Sequence, residues 1–528
     1  MPLTDGTAPP ASPDLHTRRP ARATTTYDAV VVGLSLNSLL AAAELAGNGW
    51  SVAVVGEFSG SHHVGLDHLT LPGHVHDSFT LWHLHFMAGP AYAALAGDLR
   101  RHGLEYLTGT GPLTATVGER GTVVAHRDAG TTSAGFADPR DAATYVGMLR
   151  GVEHLAADVH EGLGAGLTQR DLFALDGIGL RAAAATGHRE VGRAAALSAT
   201  DLLADRFRGD EVSRLWLPWL PALGLRPDDV LGGLALPATA LAMHEIGLPA
   251  VRGGAARFSA ALLGLLVERG VDLLLDSVAD AIEIDGGRAS AVRVGDRRLA
   301  AVGTVIAATD PARLHEQLLG DVAPPCPVVP SGPPSLRRAE HAGLLDDHGL
   351  VQIEAHLALQ SPLPWTDDVL QESPVVHVER PGAAPIAVGQ PTVQDPGRAP
   401  RGRGTAWLRA EVPVAAAADP ASALRRALEQ VDRFAPGLDR AVTAWRVGTR
   451  PAAGPVTGLL ARMAGDHPAT GRYRVVPDWR PGVGAVYSTG VRGLYHLGAY
   501  RHPTLRLADE PLVGGARRLP VSARVPTG

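Results

Sequence analysis

An apolar run at residues 27–32 leads into Gly33, and an Ala- and Leu-rich stretch at 36–46 follows it. Gly47-Asn48-Gly49 punctuates that stretch as C-terminal glycines punctuate helices, and a second apolar run occupies 50–55. The pattern predicts a strand, a helix and a parallel strand, the β-α-β unit of a doubly wound sheet. Residues 69–86 alternate apolar and polar positions and predict short strands. Residues 141–244 carry mostly helical composition. Residues 252–294 then read as helix, strand, strand, a turn at Gly286-Gly287 and another strand. Residues 304–314 predict one more buried strand running into a loop, and 493–500 a short strand.

These elements predict an α/β protein with a Rossmann-like domain assembled from segments 27–115, 245–345 and 481–528. A mostly helical segment, 116–244, and a mixed segment, 346–480 with Pro-rich connections at 381–403, supply an inserted α+β substrate domain. Residues 1–26, rich in Pro, Ala, Thr and Arg, read as a disordered tail rather than a signal peptide.

Composition narrows the partners. The net charge of −6 over 528 residues is spread along the chain without a basic stripe, which argues against nucleic acid. One cysteine, Cys326 in a Pro-rich loop, excludes an internal disulfide and a paired-cysteine redox centre. No stretch of about 20 uninterrupted apolar residues occurs, so the expectation is a cytoplasmic protein, with peripheral membrane contact left open by its apolar segments.

Several segments, in order, resemble the phytoene desaturase branch of the flavin amine oxidase superfamily. They are LTLPGHVHD (69–77), SATDLLADRF (198–207), LPWLPALGLRPDD (217–229), PAVRGGAARFSAALLGLLVERG (249–270), AATDP (307–311), HLALQSPLPW (356–365), RFAPG (433–437) and LYHLGAYRHP (494–503). The resemblance covers nearly the whole chain after residue 26. It implies an FAD/NAD(P)-binding Rossmann-like domain, FAD as cofactor and oxidation of an apolar small molecule in a buried cavity.

The cofactor motifs depart from that pattern. A phosphate loop of the form G-x-G-x-x-G uses its glycines for a tight turn, for close approach of backbone to pyrophosphate and for packing of helix on strand. Here Gly33 keeps the first role, while Ser35 and Ser38 replace the others, with Asn37 between them. The acid expected at the end of the second strand falls on Gly56, and Glu57 stands one residue late, where a strand side chain faces the opposite way. The family's glycine pair and arginine fall on Ser61, His62 and Gly65. The C-terminal loop keeps Gly498 and His502 but places Tyr500, Thr504, Leu505 and Arg506 where the family has glycines. The segment Arg252-Gly253-Gly254 is intact and marks a retained ligand contact. Four cofactor contacts altered together favour weakened or lost FAD binding over independent drift.

Histidines crowd the stretch after the first unit: His62, His63, His68, His74, His76, His83 and His85. In strands, His74/His76 and His83/His85 would each share a face. No acidic or cysteine ligand sits at a suitable spacing, so no metal site is assigned; His83 and His85 are catalytic candidates as neutral imidazoles near neutral pH. Glu245, between apolar runs, is a third candidate as a buried carboxylate with a raised pKa. Trp216 and Trp219 would wall a cavity or simply pack. If flavin is absent, the alternatives are a redox-neutral isomerase, epimerase, cyclase or lyase, or a non-catalytic protein that binds a ligand or stabilises a partner enzyme. A homo-oligomer is compatible with either.

Overall fold

The computed structural model describes residues 24–34, 36–56, 69–77, 83–88, 90–164, 197–223, 225–228, 232–309, 313–320, 350–451 and 491–496. Ser35, Glu57, Ser61, His62, His63, Gly65, His68, Cys326, Gly498, Tyr500, His502 and 504–506 lie outside them, as do the side chains of Asn37 and His85.

One sheet carries the Rossmann-like layer. Its strands are β1 (Thr24–Val32), β2 (Val52–Val55), β7 (Asp272–Leu274), β8 (Ala281–Asp285), β9 (Arg288–Val294), β10 (Arg297–Ala307) and β16 (Leu494–His496), in the order β7-β2-β1-β10-β9-β8, with β16 also on β10. β1 is parallel to β2 and β10, β2 to β7, and β16 to β10, whereas β8, β9 and β10 form an antiparallel meander. Alternation explains why β1 and β2 read as unbroken apolar runs. Ala29, Val31, Val52 and Val54 pack on one side against the helices Leu36–Gly47 and Ala255–Glu268. Val30, Val32, Ala53 and Val55 pack on the other side against the meander. Strands covered on both faces have no polar alternation to show. β1 starts at Thr24, so residues 24–26 belong to the first strand and not to the predicted tail.

The second sheet runs β15-β11-β14-β13-β12-β4-β5. It comprises β4 (Pro112–Gly118), β5 (Gly121–His126), β11 (Leu350–Leu359), β12 (Val375–Arg380), β13 (Ala383–Gly389), β14 (Gly404–Pro413) and β15 (Val442–Pro451). β4 begins at Pro112, so residues 112–115 belong to this sheet and not to the first Rossmann-like segment. A two-stranded ribbon pairs β3 (Tyr106–Leu107) with β6 (Ala250–Val251). Val351, Ile353, Ala355, Leu357 and Leu359 of β11 turn to one face, in a core shared with Leu424, Ala427 and Val431 of the amphipathic helix Pro420–Asp432. On the opposite face Val375 and Trp407 join the core of the helices Pro139–Gly164, Ala199–Arg206 and Gly232–Ile246.

Among the described residues of the 69–86 stretch, 69–77 and 83–86, no strand forms. Residues 69–77 are irregular, and Leu84–Ala88 is a short helix. Among the described residues, no helix is long and apolar enough to cross a membrane.

Candidate functional site

The turn after β1 is built as the glycine predicts. Gly33 has φ of 112° and donates its N–H to Val55 O at 2.7 Å, while Ala308 N donates to Val32 O at 2.7 Å. A Cβ on Gly33 would overlap the Ala308 carbonyl, so this backbone crossing excludes any side chain. Buried Ser38 donates its hydroxyl to Gly33 O at 2.9 Å, which satisfies the one polar group that distinguishes it from glycine.

The end of β2 differs. Leu34 is buried, and its side chain lies on Gly56, so closely that a Cβ at position 56 would overlap the Leu34 Cγ. The position that would offer an acid to a ribose therefore has no side chain, and a leucine fills the space an acid would enter. Among the described residues, this strand end offers no carboxylate to an adenine ribose.

The Gly253-Gly254 turn is also committed elsewhere. Both glycines have positive φ, 74° and 98°, and lead into the helix Ala255–Glu268. Gly253 N donates to Asp395 Oδ2 and Ala255 N donates to Asp77 Oδ1, each at 2.6 Å. Two buried carboxylates thus take amides that a helix N-terminus otherwise offers to an anion. Arg398, wholly buried, bridges them: it donates to Asp77 Oδ2 at 2.5 Å and to Val251 O at 2.6 Å, with its Nε 3.4 Å from Asp395 Oδ2. Arg252 points away, half exposed and paired with Glu105 at 2.7 Å. The glycine motif is intact, but its described contacts are internal.

The polar face of the second sheet is where titratable groups gather. Strand alternation puts Glu354 and His356 opposite the apolar set of β11, and the register pairs Glu354 with Arg409 and His356 with Trp407. His356 Nε2 lies 3.4 Å from Glu354 Oε1, and Arg409 Nε lies 3.2 Å from Glu354 Oε2. The Arg409 guanidinium sits 5.1 Å from the Trp407 ring centre. The next strand explains the tryptophan's place: Gly389 pairs with Trp407, and a Cβ on Gly389 would overlap the indole. His76 closes this group from outside the sheet, its ring edge-on to His356 at 5.5 Å and its Nε2 2.8 Å from the Thr70 hydroxyl. Further along the face, buried His377 packs edge-on against Trp219 at 5.4 Å. Burial pushes the His377 ring down to about 3, so it is neutral at physiological pH. This array joins a buried carboxylate and a buried imidazole to a partly exposed guanidinium, a set able to move a proton or orient a polar group.

The residues singled out from sequence distribute differently. His83 is buried in a cage of Phe86, Tyr106 and Phe258, with Nδ1 2.6 Å from the Tyr106 hydroxyl. Burial first, and the Arg398 charge second, push its pKa down to about 4. Glu245 is exposed, which corrects the expectation of a buried carboxylate; its carbonyl accepts from Arg127. The buried neighbour is His244, 2.6 Å from the Tyr145 hydroxyl. Residues 73–77 are not a strand, so His74 and His76 do not share a strand face; His74 is buried with neither ring nitrogen hydrogen-bonded. Among the described residues no cluster of three or more His, Cys, Asp or Glu is arranged to hold a metal. Glu354, His377, Arg398 and Arg409 were not singled out, and His356 appeared only inside a longer motif. The alternation of 353–359 was the available signal for the β11 pair.

No family model and no curated protein matches this chain. Solved structures do. An oxidoreductase from Methanosarcina mazei superposes with a TM-score of 0.55 at 16% identity, covering 93% of this chain and 99% of that one. A putrescine oxidase solved with putrescine bound gives 0.54 at 17% identity over 94% and 98%. The cyclohexylamine oxidase of Brevibacterium oxydans gives 0.53 at 14% identity over 93% and 99%. At these identities the likeness establishes architecture alone. The chain shares its overall fold with these solved oxidoreductase structures.

Proposed function

We propose that this chain handles an apolar small molecule at the Glu354–His356 face of its second sheet without a conventionally anchored FAD, and that its chemistry is redox-neutral. The packing of Leu34 on Gly56 carries this reading, because it removes the ribose contact and the room for it together. The amides of Gly253 and Ala255, taken by Asp395 and Asp77, support it. The chemistry left to the chain's own groups is proton movement at the Glu354–His356 pair, with Arg409 holding the carboxylate and Trp407 walling the site. A carboxylate beside an imidazole fixes the ring's orientation and its tautomer, as general acid–base catalysis requires. Isomerisation, epimerisation, cyclisation or elimination on an apolar molecule falls within that chemistry.

Absorbance of the purified protein and titration with FAD test the reading. The expected result is a colourless protein with no stoichiometric flavin uptake. A Leu34→Ala/Gly56→Glu double variant, which clears the leucine and supplies the acid, is expected to bind FAD at least roughly tenfold tighter than the parent, the scale of one or two charge-assisted hydrogen bonds. Stoichiometric flavin in the unaltered protein would overturn the proposal.

A further inference from the structure

A cavity of about 1090 Å³ lies at the end of the second sheet, where the segment entering β4 meets the connection from β13 to β14. Its size is at the upper end of small-molecule sites. Leu363, Val393 and Pro400 contribute apolar wall, and the cavity reaches Thr405, which shares a strand face with Trp407 and Arg409. It therefore adjoins the acid–base array and is lined by other residues.

Two of its lining residues carry a polar atom with nothing to bond. Thr405 is buried, with its Oγ1 unpartnered, and Gln394 has a buried, unpartnered Oε1. The orientation of the Gln394 amide is set, because its Nε2 donates to Leu248 O at 2.7 Å. The remaining oxygen is an acceptor in need of a donor. The Thr405 hydroxyl both donates and accepts. Leaving such atoms unpaired in the interior costs about 1–3 kcal/mol each. Two in one cavity mark a place where an incoming polar group is rewarded.

The charges nearby select among ligands. Arg401 and Arg403 are exposed on the lining loop against a single exposed carboxylate, Glu372. That balance disfavours an ammonium ligand, although an ammonium would suit the Gln394 acceptor. A neutral hydroxyl satisfies both orphaned atoms, donating its one hydrogen to Gln394 Oε1 and accepting from the Thr405 hydroxyl. We propose that this cavity binds an apolar molecule bearing a free hydroxyl group, with the hydroxyl recognised by Gln394 and Thr405. The proposal rests on reading the chain as a handler of apolar small molecules and adds the polar group by which the ligand is selected.

Calorimetric titration with 1-octanol and with heptyl methyl ether tests it, since the two probes match in heavy atoms and only the first donates a hydrogen bond. The expected result is an octanol preference of roughly tenfold, the worth of about one neutral hydrogen bond. That preference should shrink to about twofold or less in Gln394→Met. The near-isosteric Thr405→Val removes a donor that both probe oxygens accept from, and should weaken both probes with the preference retained. Melting curves confirm that each variant is folded. Equal affinity for the two probes, saturation by neither, a preference that survives Gln394→Met, or probe affinities that Thr405→Val leaves unchanged would overturn the inference. Flavin absorbance read on the same preparation keeps the two proposals apart. A flavin-loaded protein overturns the redox-neutral reading and leaves the octanol preference standing, whereas equal probe binding removes only the cavity's hydroxyl selectivity.

Discussion

Two histidines are carried into the interior as neutral rings, and that has a consequence in solution. His83 sits among Phe86, Tyr106 and Phe258, and His377 against Trp219. Burial lowers their pKa values to about 4 and about 3, against 6.5 for a free imidazole. Between those values and 6.5 the unfolded chain binds protons that the folded chain refuses. The stability each neutral ring preserves is thus complete above pH 6.5 and is lost progressively as pH falls toward the folded values. Denaturant unfolding at pH 7 and pH 5 should show a loss of about 2 kcal/mol per ring, from 1.36 kcal/mol per pH unit over the interval. Substituting His377→Asn should make the profile shallower in that window, and an unchanged slope would contradict the assignment. His83 stood out in the sequence by crowding alone. Crowding cannot distinguish a cage from a catalytic cleft, because two of the three cage walls, Tyr106 and Phe258, come from far along the chain.

At the scale of elements, the strand–turn–helix opening at β1 was fully legible, since its signals are local. A buried apolar run, one glycine at the turn and an Ala/Leu helix closed by Gly47-Asn48-Gly49 each act within a few residues. Gly33→Ala tests the crossing at its tightest point. The methyl meets the Ala308 carbonyl at a backbone φ of 112°, so a loss of roughly 2–4 kcal/mol is expected in urea unfolding. A parent-like midpoint would show that the turn relaxes freely. Residues 69–77 form no strand for the complementary reason. Alternation permits a strand only where a neighbour offers a free ladder. The 69–77 segment instead spends its polar groups on tertiary partners: Val75 N on Arg398 O and the Asp77 carboxylate on Ala255 N and Arg398.

On the scale of the whole molecule, Arg398 joins three distant stretches: Asp77 after the first unit, Val251 before the Gly253-Gly254 turn, and Asp395 on its own loop. Arg398→Ala leaves two buried carboxylates without their cation, and the expected loss is about 3–5 kcal/mol. Chemical unfolding measures it, and a change under 1 kcal/mol would show that the carboxylates find water or protonate without penalty. The two-domain architecture was legible because hydrophobic patterning and glycine turns are properties of neighbouring residues, and burying their apolar faces requires those layers. The missing acid at position 56 could likewise be read by counting along a strand. What only the tertiary structure decided was occupancy of space and of hydrogen-bonding groups. Leu34 lies over Gly56, Asp77 and Asp395 take the amides of an intact glycine motif, and β14 brings Arg409 and Trp407 to Glu354 and His356. Each depends on a partner far along the chain, and a through-space contact leaves no periodicity in the sequence to read.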